Sequence, residues 1–130
     1  MYIQSLESFS DGRGDLYPLD FDRVPFVPKR LFIVSDVPKG EIRGEHAHYQ
    51  TEQFLLCMAG EIEVVLYDGK KESRITLQPF DGVHIPHLIW DYQILKTGED
   101  ILLVLASTSY DRRDYIESMD SYKKMRKNNG

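Results

Sequence analysis

Short apolar segments rich in β-branched and aromatic residues recur along the chain at intervals of about ten residues. They are DLYPLDF, RLFIVSDV, QFLLCM, EIEVVLY, RITL, VHIP, IWDYQIL and ILLVLAS. Turn signals that contain glycine or proline, such as VPKG, AGE and QPFDG, separate them. This rhythm is typical of antiparallel hairpins, so it predicts an all-β sandwich or small barrel. Because no linker or repeat interrupts it, we expect one domain over residues 1–130.

The pattern changes to a helical period only near the C-terminus. Tyr115, Met119 and Tyr122 share one helical face, and Asp111 is available as an N-cap. The sequence therefore predicts one short C-terminal helix that packs against the barrel. Its basic residues are expected to form a solvated helix end that the helix dipole favours; they are Lys123, Lys124, Arg126 and Lys127.

Composition and charge narrow the classes of function. The chain has 130 residues, a net charge of -5 and no basic cluster before its last residues, which argues against nucleic acid as a partner. It begins without the pattern of a signal peptide, and no apolar run approaches the roughly 20 residues that span a bilayer. We therefore expect a cytoplasmic protein without a membrane partner. The single cysteine, Cys57, lies in an apolar run and is expected to be a buried free thiol.

The segment RGEHAHYQTEQ, residues 43–53, concentrates the titratable chemistry of the chain. In an extended strand the side chains of His46, His48, Gln50 and Glu52 would point to the same face. An apolar barrel interior penalises such groups unless they are paired or used. We therefore expect this strand to line a functional cavity.

Two chemistries fit these residue types. Two imidazoles and a carboxylate are the ligands of a 2-His-1-carboxylate metal site, which here would be His46, His48 and Glu52. Alternatively, two imidazoles can move protons near neutral pH without a metal. Spacing alone does not decide between them.

Arg43 is the third candidate group in this segment. A guanidinium suits a phosphate or a carboxylate ligand, whereas a surface ion pair with Glu41 or Glu45 is the structural alternative. Strand alternation places Arg43 on the face opposite His46 unless the backbone bends between them. Gly44 stands at that position, where a bulge is inexpensive.

Longer motifs resemble a known superfamily and a family within it. Residues 40–60, GEIRGEHAHYQTEQFLLCMAG, resemble the first cupin motif, and residues 82–91 match the second loosely, with His84 and His87 as nearby candidates. The combination of DGRGDL, RGEHAH, HIPHLIWDYQ and LASTSYDRRDYI covers most of the chain. It resembles the nucleotide-sugar 3,4-ketoisomerases that act on thymidine-diphosphate (dTDP) 4-keto-6-deoxyglucose.

This resemblance implies a cupin barrel, a double-stranded β-helix or jelly roll, in a homodimer that exchanges N-terminal strands. It implies an isomerase without a metal or other cofactor, in the biosynthesis of dTDP-3-amino-3,6-dideoxyhexoses for bacterial glycans such as lipopolysaccharide or S-layer glycan. His46 and His48 match the catalytic pair, Arg43 matches the arginine near the diphosphate, and Arg13 aligns near the sugar.

Four further residues are expected to bind the substrate. Arg30 is expected near the diphosphate and Gln53 behind the imidazoles, and Trp90 and Asp91 form the WD pair. Many relatives have histidine after the tryptophan, so Asp91 is expected to line the sugar end of the pocket and leaves the C4 configuration of the product open. A metal-dependent cupin and a non-catalytic sugar-binding cupin are the alternatives.

Overall fold

The computed structural model describes residues 3–128. Strands dominate this part of the chain, and one α-helix closes it. The elements are β1 (Gln4–Ser5), β2 (Phe9–Asp11), β3 (Gly14–Leu16), β4 (Arg30–Val34), β5 (Glu41–His48), β6 (Gln53–Ala59), β7 (Ile62–Tyr67), β8 (Glu72–Leu77), β9 (Asp81–Ile85), β10 (Trp90–Leu95), β11 (Ile101–Ala106), β12 (Tyr115–Ile116) and α1 (Met119–Asn128). Short 3-10 turns lie at Phe21–Arg23 and Arg112–Asp114.

Two five-stranded antiparallel sheets form the barrel. One has the order β1-β9-β6-β11-β4 and the other the order β12-β5-β10-β7-β8, while β2 and β3 form a separate hairpin. Strands that are distant in sequence, such as β5 and β10, are neighbours in the sheet, as in a jelly roll. The predicted all-β barrel with a short C-terminal helix is therefore confirmed.

The apolar core lies between the sheets because alternate residues of each strand face inward. Its buried members include Leu55, Ile62, Leu77, Leu95 and Leu102. Cys57 belongs to this core as predicted, and burial raises the pKa of its thiol to about 11. Of the predicted strand segments, DLYPLDF forms a strand only at its start, since β3 ends at Leu16, before Pro18.

A β-bulge interrupts the pairing of β5 with β10. Arg43 pairs with Gln93 and Gly44 with Tyr92, but the next pair along β5 is His46 with Asp91. Glu45 is the extra residue, and it and Gly44 have positive φ angles of 64° and 91°. The bulge cancels one alternation of the strand, so Arg43 and His46 face the same side. The structure thus has, at Gly44 and Glu45, the bend that the sequence left open at Gly44.

The C-terminal segment begins its helix later than predicted. Asp111 caps the 3-10 turn through a 3.0 Å bond from the Arg113 amide, and α1 begins only at Met119 after Ser118. Tyr115 is not helical, because it pairs with His48 at the edge of β5. Sheet pairing therefore replaces the first predicted helical turns.

The helix packs on the barrel through Tyr122 and Met125, while Lys123, Lys124 and Lys127 are exposed as expected. The single hydrogen of the Tyr122 hydroxyl is shared between the carbonyl oxygens of Tyr67 and Leu88, each 2.9 Å away. Within residues 3–128 no helix is long and apolar enough to cross a membrane.

The Tyr122→Phe variant should lower the free energy of unfolding by about 1–2 kcal/mol, because two partly buried carbonyls lose the donor that they share. Chemical denaturation measures this loss. Tyr49→Phe, at a half-exposed tyrosine, is the control and should stay within about 0.5 kcal/mol of the parent. Equal stability of the two variants would contradict the role given to the Tyr122 hydroxyl.

Candidate active site

A cavity of about 310 Å³ opens between the two sheets next to the bulge. Charged and polar side chains form one part of its wall, and apolar residues form the rest. The lining residues are Arg30, Phe32, Ile33, Val34, Arg43, Gly44, His46, Gln53, Leu55, Gln93, Leu102, Val104 and Tyr115. Four predicted site residues, Arg30, Arg43, His46 and Gln53, therefore meet in one cavity.

The two predicted catalytic histidines are adjacent. The ring centroids of His46 and His48 lie 4.9 Å apart with an interplanar angle of 71°. The Tyr115 ring lies over both, at 5.1 Å from His46 and 4.3 Å from His48. His46 lines the cavity, whereas His48 is buried behind it beside Tyr115. The strand periodicity predicted the pair, but not the tyrosine.

Asp114 orients His48. Its Oδ2 lies 3.2 Å from His48 Nδ1 and accepts from the Thr51 hydroxyl and amide at 2.5 and 3.0 Å. Its Oδ1 accepts from the Gln50 amide at 2.9 Å. A carboxylate in this position favours the tautomer in which Nδ1 carries the proton. His48 Nε2 then points away from Asp114 as an acceptor, and it has no partner among the described residues.

Both imidazoles are held in their neutral form. Burial, and then the neighbouring His48, lower the pKa of His46 to about 4, although the His46 backbone raises it. Burial also lowers the pKa of His48, and the carboxylate of Asp114 opposes that shift. A neutral imidazole can accept a proton, so the pair suits general base chemistry at neutral pH.

Two guanidinium groups make the cavity attractive to anions. Arg43 reaches it because of the bulge, and Arg30 reaches it from β4. The Arg30 guanidinium lies 4.6 Å from the Phe32 ring centroid and 5.1 Å from that of Tyr110, so cation–π contacts hold it. A phosphate or diphosphate group is the chemistry that such a pair recognises.

Three predicted substrate-binding residues lie outside the cavity lining. Trp90 packs with Tyr122 beneath α1, and a second pocket, of about 460 Å³, joins it to His46. Asp91 is 1% exposed, so its carboxyl lies behind the wall instead of lining the sugar end. Arg13 lies in the exposed turn between β2 and β3, paired with Asp11 at 2.9 Å.

Glu52 departs from the predicted face. The prediction assumed that the strand continued, but β5 ends at His48 and the chain turns before β6. The Glu52 carboxylate therefore lies 2.8 Å from His84 Nε2 instead of facing the cavity histidines. Across residues 3–128, no three His, Cys, Asp or Glu side chains are grouped in a way that could hold a metal ion. The predicted ligand set His46, His48 and Glu52 is thus not assembled.

Comparison with protein families identifies the chain. Residues 1–127 match the family model FdtA, described as WxcM-like, C-terminal. The chain belongs to the FdtA family. The recognition from sequence motifs, including RGEHAH around the two imidazoles, is therefore confirmed.

Characterised relatives of this FdtA-family chain are sugar isomerases. One is a TDP-4-oxo-6-deoxy-α-D-glucose-3,4-oxoisomerase of Aneurinibacillus thermoaerophilus, 36% identical over 124 residues, which cover 94% of this chain and 89% of the relative. The structure of QdtA, a sugar 3,4-ketoisomerase of Thermoanaerobacterium thermosaccharolyticum in complex with TDP, is 32% identical with a TM-score of 0.90, covering 98% and 95% of the two chains. A 3,4-ketoisomerase of Helicobacter canadensis is 34% identical with a TM-score of 0.90, covering 97% and 96%.

The low pKa of His46 predicts a pH-dependent stability. As the pH falls, His46 takes up a proton in the unfolded state near pH 6.5 but in the folded state only near pH 4. The contribution of neutral His46 to stability is therefore complete above pH 6.5 and is lost as the pH falls toward 4. This difference in the pKa of His46 corresponds to about 3 kcal/mol of unfolding free energy.

The difference in unfolding free energy between the parent and His46→Asn should therefore grow as the pH rises from 4.5 to 7.5. The Asp91 carboxyl, whose pKa burial raises to about 7, adds the same opposite slope to both proteins, so this slope cancels in the difference. His87→Asn removes an exposed histidine and is the control, so its plot of unfolding free energy against pH should follow that of the parent. A His46→Asn plot parallel to that of the parent would contradict this account.

Proposed function

We propose that the protein is an isomerase that converts dTDP-4-keto-6-deoxyglucose to a dTDP-3-keto-6-deoxyhexose. The observation that carries the proposal is a pair of neutral, buried imidazoles next to two guanidinium groups in one barrel. The relatives named as 3,4-ketoisomerases support it, as does the QdtA complex with TDP. Moving a ketone between neighbouring carbons requires groups that carry protons, which the imidazoles can do. A diphosphate requires positive charge for binding, which the guanidinium groups provide.

His46 is the proposed base at carbon. It lines the cavity, and its Nε2 is the ring nitrogen that a sugar can reach, because Nδ1 is buried. Nε2 removes the proton from C3, the electrons of that bond form an enediol with C4, and a proton returns to C4. The C3 hydroxyl becomes the ketone, and the former C4 ketone becomes a hydroxyl.

His48 is the proposed carrier of the second proton, between O3 and O4. Asp114 holds its Nδ1, which leaves Nε2 as an acceptor next to the His46 ring. Tyr115 lines the cavity and its ring lies 4.3 Å from the His48 ring, which is outside the lining, so the proposed transfer requires these side chains to shift. The two histidine assignments can be exchanged without changing the overall reaction.

The guanidinium groups of Arg43 and Arg30 are proposed to bind the diphosphate. Gln53 and Gln93, both buried at the cavity wall, are placed to bond sugar hydroxyls. The 3-keto product suits transamination at C3, which supports a place in 3-amino-3,6-dideoxyhexose biosynthesis.

We further propose a homodimer that exchanges N-terminal strands. Leu31 and Ile33 expose 54% and 57% of their surface on β4, where Ile33 also borders the cavity, and Phe9 and Leu16 are exposed on the β2–β3 hairpin. Large apolar side chains that are exposed in this way are typical of an interface. In this dimer, Arg13 at the end of that hairpin is proposed to enter the cavity of the other copy and reach the sugar there.

Proton NMR of the protein with dTDP-4-keto-6-deoxyglucose in deuterated buffer tests the function. We expect signals of a 3-keto sugar, deuterium at the carbons that exchange, and couplings at C4 that identify the epimer. Conversion should persist with a chelator; a loss on chelation would favour the metal-dependent alternative. Unchanged sugar signals in the presence of binding would replace the isomerase with a sugar-binding protein.

Separate His46→Asn and His48→Asn variants should each slow conversion by about 10²–10⁴-fold, because each lacks a proton carrier. Solvent deuterium at C3 and at C4, measured separately, shows which histidine acts at carbon. His87→Asn removes an exposed imidazole outside the cavity and should keep the parent rate. Full activity in both cavity variants would contradict the mechanism.

A further inference from the structure

Within residues 3–128, the carboxyl of Asp91 is buried without a hydrogen-bond partner for each of its oxygens. Its side chain is 1% exposed, and Oδ2 accepts one bond, from Gln93 Nε2 at 2.5 Å. Its Oδ1 is buried and has no partner among the described residues. Burying a carboxyl with an unused oxygen is costly, so such a group calls for a partner or a function.

The strand register places an equally unsatisfied group opposite this acid. Asp91 on β10 pairs with His46 on β5, and side chains that are directly opposite on antiparallel strands have Cβ atoms about 4.5–5.5 Å apart. His46 Nδ1 is also buried without a partner. An acid and a base, each with a buried polar atom that has no hydrogen-bond partner in the described part of the chain, therefore stand at directly opposite positions of two paired strands.

No other described group competes for the Asp91 oxygen. The residue opposite Asp91 on β7 is Leu66, which is apolar, and Gln93 bonds the other oxygen. Around His46, the titratable or charged neighbours include His48 and Tyr115, which contact it through their rings. Arg30 and Arg43 line the same cavity, and Glu45 and Glu117 line a second pocket with His46. Asp114 acts on His48 and not on His46.

We propose that Asp91 is a positioning residue for His46: its carboxylate accepts the Nδ1 hydrogen, directly or through one buried water. This bond holds the ring in the tautomer that presents an unprotonated Nε2 to the cavity. The proposal rests on the proposed function, in which that nitrogen removes the proton from carbon. When Nε2 takes the proton, the imidazolium faces the carboxylate, which stabilises it until the proton returns to the sugar.

The protonation of Asp91 is consistent with this role. Burial raises the pKa of its carboxyl to about 7, against the lowering influence of Gln93. The carboxylate therefore predominates at pH 8, and a positive charge on His46 favours it further. Asp91 thus does not need to touch the sugar in order to influence the reaction.

The Asp91→Asn variant should reverse the His46 tautomer. Gln93 Nε2 still requires an acceptor, so the asparagine oxygen takes the place of Oδ2 and its amino group takes the place of Oδ1. That amino group donates to His46 Nδ1 and moves the ring proton to Nε2. We expect kcat to fall on the order of 10²-fold while KM changes less than about threefold.

The direct readout is the two-bond ¹H–¹⁵N NMR correlation of the histidine rings in ¹⁵N-labelled protein at pH 8, with His46 assigned by its absence from His46→Asn. The parent should show the Nδ1–H tautomer and Asp91→Asn the Nε2–H tautomer. A parent ring in the Nε2–H form, or the same tautomer in both proteins, overturns the proposal. The parent spectrum alone decides this if the variant does not fold.

Asp100→Asn is the matched control. Asp100 is an equally buried carboxyl, but its oxygens accept backbone amides at Glu61, Thr97 and Gly98. This variant should lose stability without changing the His46 tautomer; a changed tautomer would mean that general destabilisation causes the effect and would overturn the proposal. Because the spectra need no substrate, failure of the tautomer prediction is distinguishable from absence of isomerase activity.

Discussion

The candidate site depends on one extra residue in strand β5. Consecutive positive φ angles at Gly44 and Glu45 insert a bulge between Arg43 and His46. Without it, strand alternation would place the guanidinium outside the barrel and the imidazoles inside. A Cβ atom added at Gly44 would lie 3.1 Å from both Tyr92 Cα and the side-chain oxygen Oε1 of Gln93. The bulge therefore needs glycine at this position. Backbone geometry at two residues thus joins the groups that are proposed to bind the diphosphate and to transfer protons.

The second constraint is the burial of polar groups in a barrel. Across residues 3–128, the buried side-chain nitrogens and oxygens without a partner are His46 Nδ1, His48 Nε2 and Asp91 Oδ1. All three belong to this site, whereas the buried carboxyl of Asp100 is fully bonded to backbone amides. Buried polar groups without hydrogen-bond partners lower stability, and a cluster of them is typical of a functional site. The low pKa of His46 has the same origin.

The sequence predicted features that depend on local periodicity. Strand alternation was sufficient for the His46 and His48 pair, and Gly44 signalled the bend that brings Arg43 to them. Glu52 was misplaced because alternation holds only while a strand continues, and β5 ends at His48. Asp114 was missed because it contacts His48 across 66 positions of sequence. Its segment had been assigned to a helix, and a pairing at the sheet edge cannot be inferred from helical spacing.

The measurement that tests the account most directly is calorimetric binding of TDP to a variant that lacks Glu45. Removing this residue restores unbroken alternation and turns Arg43 away from the cavity, so TDP should bind at least about tenfold more weakly, as in Arg43→Ala. Glu45→Gly keeps the bulge and should bind TDP like the parent. Parent-like TDP affinity in a folded deletion variant, or in Arg43→Ala, would contradict the claim that the bulge assembles this site.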